Sequence, residues 1–467
     1  MGRQLPALAI FVFLVLIPVR SQQNQGSAYR FERGGWTFVH LQGAPKDLGF
    51  QHGSLLAHEI EDVVNVIRFE NTHSTGRDWK FFRDASQKML WPKIDPEYQQ
   101  ELEGIAAGVA SKGVKLDLWD IVALNAAIEL PEYYVPWLEK QSKLKDAKPA
   151  RPEGHCSAFI ATGSYTKGGK IVIAHNNWSS YADGERWTVV FDIQPASGHR
   201  MVIDGLPGVI TSQDDFGVND AGLMMTETTI TQFAGWDPEA KPEFVRSRKA
   251  LQYADSIDAY VRIIKDGNNG GYANDWLIGD RKTGEIAYLE LGLKNTPIWR
   301  SKDGYFISTN FARDPKLIAE ETDGWDPKNL ASSPNARRVT AEKRIEAAKG
   351  KIDIETAERY LSDHEDSFTG STNGDSRSLC GHIDRDPKGV PEWDDPPFYA
   401  DGSVTGKVTD SDLAGQLKIV VRAGHPCGED FLAAPYLKAH PEFGYLKPIL
   451  KDMKAGPWTQ FGAGEKK

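Results

Sequence analysis

HCSAFIATGSYTKGGKIVIAHNNW, residues 155 to 178, holds two β-rich runs on either side of Lys167-Gly168-Gly169-Lys170. A glycine pair between two apolar, β-branched runs is a hairpin signal, so the two runs are expected to pair antiparallel. The residues just before it read EKQSKLKDAKPARPEGH (Glu139 to His155), with four lysines, one arginine and two prolines. Such a segment has almost nothing to bury and reads as an exposed linker. Cys156 therefore opens a strand at the point where a linker ends.

Further strands are expected downstream at RWTVVFDIQ, RMVIDGLP, GLMMTETTIT, DWLIGD, EIAYLELG and GYFISTN, separated by Gly, Asp and Pro turns. Helical periodicity returns over Arg337 to Lys349 and Ile354 to Leu361, before a Gly/Asp/Pro-rich tail. Upstream, GGWTFVHLQG (Gly34 to Gly43) reads as a short strand. Residues 45 to 130 read as mostly helical: Leu55, Ile60, Val63, Val64 and Ile67 recur at helical spacing, Asp95-Pro96 opens a second helix, and a third starts near Asp117. Helical stretches flanking a strand-rich centre predict an α+β fold, helices packed on a largely antiparallel sheet system.

The amino end, MGRQLPALAIFVFLVLIPVRSQQ, has a basic Arg3, an apolar run from Ala7 to Ile17 and short side chains near Ser21. This run is shorter than the roughly 20 residues that span a bilayer, and it reads as a signal peptide over 1–21. The mature chain is thus expected from Gln22, in the periplasm or outside the cell, without stable membrane insertion. The organisation expected is a helical region 22–138, a processing linker 139–155 and a catalytic region 156–467.

The whole chain has 467 residues, 40% of them hydrophobic, which excludes disorder as the main state. With 55 Lys and Arg against 65 Asp and Glu, the net charge of -10 argues against a nucleic-acid partner. Gly163 to Lys170 lacks the lysine of a phosphate loop, and no GxSxG or HExxH occurs. His364 and His382 stand in HEDS and HIDR, without ligand spacing, so no metal and no cofactor is expected. Three cysteines are too few for a disulfide scaffold. With Cys156 committed elsewhere, Cys380 and Cys427 either pair in an oxidising compartment or stay two separate buried thiols.

Cys156 has two readings, a buried small hydrophobe or a nucleophile. Cleavage before it would leave one residue carrying thiol and free α-amine, nucleophile and base together. An α-amine pKa of roughly 7.7 to 8.0 suits that role near neutral pH.

Several separated segments resemble the penicillin acyltransferase-like and phospholipase B-like families of N-terminal nucleophile (Ntn) hydrolases. These are GAPKDLGFQHGSLL, LEGIAAGVASKGVKLDLWDIVALNAAIEL, CSAFIATG with AHNNWSSY, DDFGVNDAGLMMTETTI, STNFARDP, SSPNARRVTAEKRI, SRSLCGHID and DGSVTGKVTD, in the order those families have them. The resemblance implies an αββα sandwich with a helical pro-region. It further implies autocatalytic cleavage between His155 and Cys156, with both fragments staying associated, and acyl transfer through a thioester to hydrolyse an amide or ester. Asn310 is implied as oxyanion donor, and Arg337 as a buried arginine near the nucleophile, with Arg338 one residue out of register. The hairpin brings His175, Asn177 and Trp178 alongside Cys156. Thr226 and Thr228, around Glu227, are carried as substrate contacts with Trp178. His-Asn-Asn at 175–177 departs from the acyltransferase-type pattern toward the phospholipase B-like one. The expected partner is a small acylated substrate or a lipid. The competing reading is a secreted lipid- or carbohydrate-binding protein on the same fold, without catalysis.

Overall fold

The computed structural model describes residues 28–142, 156–213 and 216–466. The expected signal peptide, and residues 143–155 of the linker, lie outside the described residues. The strands are β1 (Tyr29–Arg33), β2 (Trp36–Gly43), β3 (Ser157–Gly163), β4 (Gly169–Ser180), β5 (Val189–Pro195), β6 (Met201–Gly205), β7 (Gly217–Asn219), β8 (Leu223–Thr229), β9 (Asn274–Asp280), β10 (Glu285–Leu291), β11 (Ile298–Ser301), β12 (Gly304–Ser308), β13 (Asp401–Asp410), β14 (Lys418–Ala423) and β15 (Thr459–Gly462). They form a nine-stranded sheet in the order β1-β2-β5-β6-β7-β8-β9-β10-β11 and a six-stranded sheet in the order β12-β3-β4-β13-β14-β15.

The two-residue period of the central strands explains why both sheets are covered on both faces. On β3 and β4, Ala158, Ile160, Ile171 and Ile173 point into the layer between the sheets, where they meet Val190, Val202, Leu277 and Ile286. Their neighbours Phe159, Ala161, Val172 and Ala174 point the other way, onto Ala341, Ile345, Ala357 and Leu361 of the helices Ser333–Ala347 and Ile354–Leu361. The nine-stranded sheet divides in the same manner. Val189, Phe191, Met201, Ile203 and Ile278 face a helical layer built by α1 (Pro45–Leu55), α2 (Ala57–Thr75), α3 (Trp79–Ala85), α4 (Pro96–Ser111) and α5 (Leu118–Asn125) together with Glu243–Tyr253 and Ile257–Lys265. Helix, sheet, sheet and helix thus stack as four layers.

The region before the linker is built into this stack rather than standing beside it. β2 pairs in parallel with β5, from Thr37 opposite Val189 to Gly43 opposite Pro195, and α1, α2, α4 and α5 share one apolar cluster with the sheet they cover. Asp117 caps α5 through a reciprocal pair of side-chain bonds with Asp120, as a helix start near that residue requires. The linker reading is shortened at one end, because Glu139 to Gln141 complete helix α6 (Val135–Gln141).

The Gly/Asp/Pro-rich tail also differs from expectation. It supplies β13, every residue of which is buried, and β13 lies next to β4 in the six-stranded sheet. Its inward groups are polar, which hides the strand from an apolar pattern: Lys407 Nζ reaches Asp204 of β6 across the gap between the sheets at 3.0 Å, with both side chains fully buried. Cys380 and Cys427 are both thiols, unbridged.

Candidate active site

Strand registers bring three sequence-distant residues into one row. β12 pairs with β3 so that Ser308 faces Ala158, and β3 pairs with β4 so that Ser157 faces Asn176. Continued by one or two residues, these registers set Asn310, Cys156 and Asn177 side by side at one end of the six-stranded sheet. By the same alternation, Cys156, His175 and Asn177 share the face turned toward the other sheet.

Cys156 is buried and its backbone N–H donates to Asn310 Oδ1 at 2.8 Å. Its Sγ lies 4.0 Å from Asn177 Oδ1. Asn310 adopts a left-handed backbone (φ 69°), which asparagine tolerates better than most non-glycine residues. Its Nδ2 donates to Thr229 O at 3.0 Å and its N–H to Thr228 Oγ1 at 3.3 Å. Asn310 thus turns its side-chain oxygen to the Cys156 nitrogen, and one of its two amide hydrogens goes to Thr229 O. The neighbouring amide offers a donor, since Asn177 Nδ2 is buried and has no hydrogen-bond partner among the described residues.

Arg337 resolves the one-residue ambiguity. It is fully buried in the helix Ser333–Ala347 and donates to Cys156 O at 2.5 Å, Ser157 Oγ at 3.1 Å, Asn310 Oδ1 at 2.9 Å and Ser333 Oγ at 3.1 Å. Its guanidinium also stands 4.6 Å from the Trp178 ring centre and 5.7 Å from that of Trp393. Burial pushes its pKa down to about 9, against the pull of an ionised Cys156. Arg338 instead pairs with Glu342 near the surface. Replacing Arg337 by Met is expected to leave several buried acceptors unpaired, at about 1–3 kcal/mol each, whereas Arg338→Ala costs under about 1 kcal/mol. Urea unfolding of the two variants checks this, and equal midpoints would contradict it.

His175 is fully buried; desolvation and the nearby Lys407 charge hold its pKa well below the usual histidine range, so the ring is neutral. Its ring nitrogen, Cys156 Sγ and a Glu227 carboxylate oxygen lie within 4.8 Å of one another. Tyr272 donates to Glu227 at 3.0 Å. Thr226 and Thr228, expected as substrate contacts, are not among the lining residues of the cavity at Cys156. Thr228 instead braces Asn310, sharing a 2.5 Å hydrogen bond with Ser308. Glu227, the middle residue of the Thr226-Glu227-Thr228 step, is thus the member of that step whose carboxylate stands beside the thiol, a role that the resemblance did not assign to it.

The cavity measures about 520 Å³ and is lined by Cys156, Asn177 and Trp178 together with residues of α2 and of the segment before the linker, among them Phe69, Asn71, Pro131 and Val135. Trp187, Tyr272, Trp393 and Tyr399 add aromatic wall. Six carboxylates line it, from Glu70, Glu132, Glu139, Asp183, Asp394 and Asp401, and among the described residues no Lys or Arg does. None of these acids is marked in the sequence, since they come from four separate segments.

Residues 61–288 match the family model described as Phospholipase B. This span includes Cys156 and Asn177 and ends before Asn310 and Arg337. The chain is similar to phospholipase-B 81 of Drysdalia coronoides, 32% identical over 271 residues that cover 50% of this chain and 48% of the relative. It is similar also to phospholipase B-like 1 of Bos taurus, 28% identical, covering 50% and 48%. The chain spans about half or less of the length of the curated relatives it matches. Among solved structures, penicillin V acylase from Agrobacterium tumefaciens aligns at a TM-score of 0.34 and 14% identity, covering 57% of this chain and 83% of that one. The sequence matches agree with the phospholipase B-like part of the resemblance read from the sequence: over residues 61–288 the chain is similar to phospholipase B-like proteins.

Proposed function

We propose that the protein is an exported acyl hydrolase that cuts itself before Cys156 and then uses this residue as an N-terminal nucleophile on an amide or ester. The observation that carries the reading is the environment of one residue. Cys156 lines the cavity beside Asn177, while its own nitrogen is held by Asn310 Oδ1 at 2.8 Å.

In self-cleavage, Cys156 Sγ attacks the carbonyl carbon of residue 155. The peptide C–N bond breaks, the nitrogen takes the thiol proton, and water hydrolyses the resulting thioester. In turnover the freed α-amine takes the thiol proton and the thiolate attacks the substrate carbonyl. The ammonium then protonates the leaving group, and the amine activates the water that releases the acid. Asn310 orients the nitrogen for both proton transfers, and the Arg337 cation favours the thiolate. Asn177 Nδ2 is the donor available to the developing oxyanion. β1, β2 and α1 to α5 are embedded in the shared sheet and core, which supports continued association of the two fragments after the cut.

An acidic, aromatic-walled cavity favours an acylated substrate whose leaving group is cationic or neutral over one bearing a free carboxylate. Mass spectrometry of the purified protein, followed by hydrolysis assays on matched N-acyl amines, N-acyl amino acids and lysophospholipids, tests the whole reading. A new chain beginning Cys-Ser-Ala-Phe and preferred turnover of the substrates without a free carboxylate are expected; an uncut chain inert toward all of them overturns it.

Asn177→Ala is expected to lower kcat of the processed enzyme by about 10²–10³-fold, the loss of one oxyanion donor, with KM little changed. An unchanged kcat would remove Asn177 from that role.

A further inference from the structure

Behind the six-stranded sheet, on its helical side, three segments distant in sequence bring His364, Cys380, His382 and Cys427 together. One donor atom from each lies within 4.8 Å of the other three, and the two residues of the middle segment are buried. His382 Nε2 stands 3.8 Å from Cys380 Sγ and 3.6 Å from Cys427 Sγ. Zinc bonds of about 2.3 Å to sulfur and 2.0 Å to nitrogen, at the tetrahedral angle, set S and N about 3.5 Å apart. The two distances from His382 Nε2 are thus close to the edges of a tetrahedron of that size, and the remaining pairs lie within 4.8 Å. Two thiols and two imidazoles form a donor set that suits zinc rather than magnesium or calcium.

We propose that these four side chains are a structural zinc site, with no position left open for substrate. This reverses the expectation of no metal drawn from HEDS and HIDR, where the ligands are too far apart in the chain to make a motif. It also accounts for Cys380 and Cys427 as ligands instead of a bridge. On binding, both thiols give up their protons and each imidazole donates one ring nitrogen.

The site has a structural purpose beyond local cross-linking. Gly381, between two of the ligands, packs flat under Trp178: a Cβ there would lie 2.0 Å from the ring. Leu379 O accepts from Asn176 of β4 at 2.9 Å, and Ser403 of β13 donates its N–H to Gly381 O at 2.9 Å. Zinc would therefore clamp the segment that backs the cavity wall at Trp178, without touching Cys156.

The test is metal analysis of the full protein purified without chelator from zinc-supplemented cells, alongside Cys427→Ser, His364→Ala and Cys156→Ala. Stoichiometric zinc in the wild type and in Cys156→Ala, lost in the other two, is the expected result. Cobalt exchanged into the wild type should show visible ligand-field bands of a tetrahedral thiolate site. His364 is only half-buried, so its variant folds even where the cysteine variant fails. Metal-free protein with both thiols reduced, a Cys380–Cys427 disulfide in its place, or metal lost on Cys156→Ala alone would each overturn the proposal.

Discussion

Cys156→Ala is expected to yield one uncut mature chain with no acyl-hydrolase turnover, whereas the wild type separates under denaturing conditions into fragments of about 15 and 35 kDa, in proportion to 51.8 kDa over 467 residues. Both losses follow from one atom. Sγ is the group that attacks residue 155 in self-cleavage and the substrate carbonyl in turnover, and removal of a nucleophile typically costs at least about 10⁴-fold in rate. The fold should survive, because Cys156 closes no bridge and Ala keeps the β-carbon at a buried strand end. A variant with the wild-type N–H to Asn310 contact but no thiol separates chemistry from architecture. Cys156→Ser retains a weaker nucleophile and should cleave slowly if at all. The binding-protein alternative makes the opposite prediction: the wild type and Cys156→Ala would both be uncut, and indistinguishable by mass and by ligand binding.

What could be read from the sequence depended on whether a residue announces its own neighbours. β3 and β4 were legible because their apolar residues fill two layers and a glycine pair joins them. Their pairing alone brings Asn177 to Cys156. β13 was not legible as a strand, since DGSVTGKVTD directs Lys407, Thr405 and Ser403 into polar contacts that no hydrophobic period records. Asn310 and Arg337 reach Cys156 from 154 and 181 residues away, so only the family resemblance pointed to them. That resemblance pointed to the amide beside Cys156 without its orientation: which end of Asn310 faces the nitrogen is set by Arg337 and Thr229, both outside the STNFARDP segment that holds it. The cluster of His364, Cys380, His382 and Cys427 failed to register for the same reason, being assembled from three loops.

Gly104→Ala is expected to destabilise the protein by about 3 kcal/mol, although alanine in a helix interior ordinarily gains about 1 kcal/mol over glycine. The sign is reversed by the contact between α1 and α4, whose contacts advance together along both helices. A Cβ on Gly104 would lie 2.4 Å from Lys46 O, and one on Gly108 2.4 Å from Phe50 O; in the other direction, Gly49 would meet Glu101 O at 1.9 Å and Gly53 would meet Ile105 O at 2.1 Å. Every obstacle is backbone, so no rotamer change relieves it and the helices must move apart. The two four-residue glycine spacings sit inside GAPKDLGFQHGSLL and LEGIAAGVASKG, which gives those resembling segments a physical basis in close helix packing. α1 leads directly into α2, which supplies Phe69, Glu70, Asn71 and His73 to the cavity, so separating α1 from α4 should loosen the substrate wall while leaving the row of Asn310, Cys156 and Asn177 in place. Denaturant unfolding of Gly104→Ala and Gly53→Ala, with KM and kcat measured below the transition, checks both parts. A lower midpoint with raised KM and nearly unchanged kcat is the expected pattern, and a variant as stable as the wild type would show that the helices yield more easily than their carbonyl contacts imply.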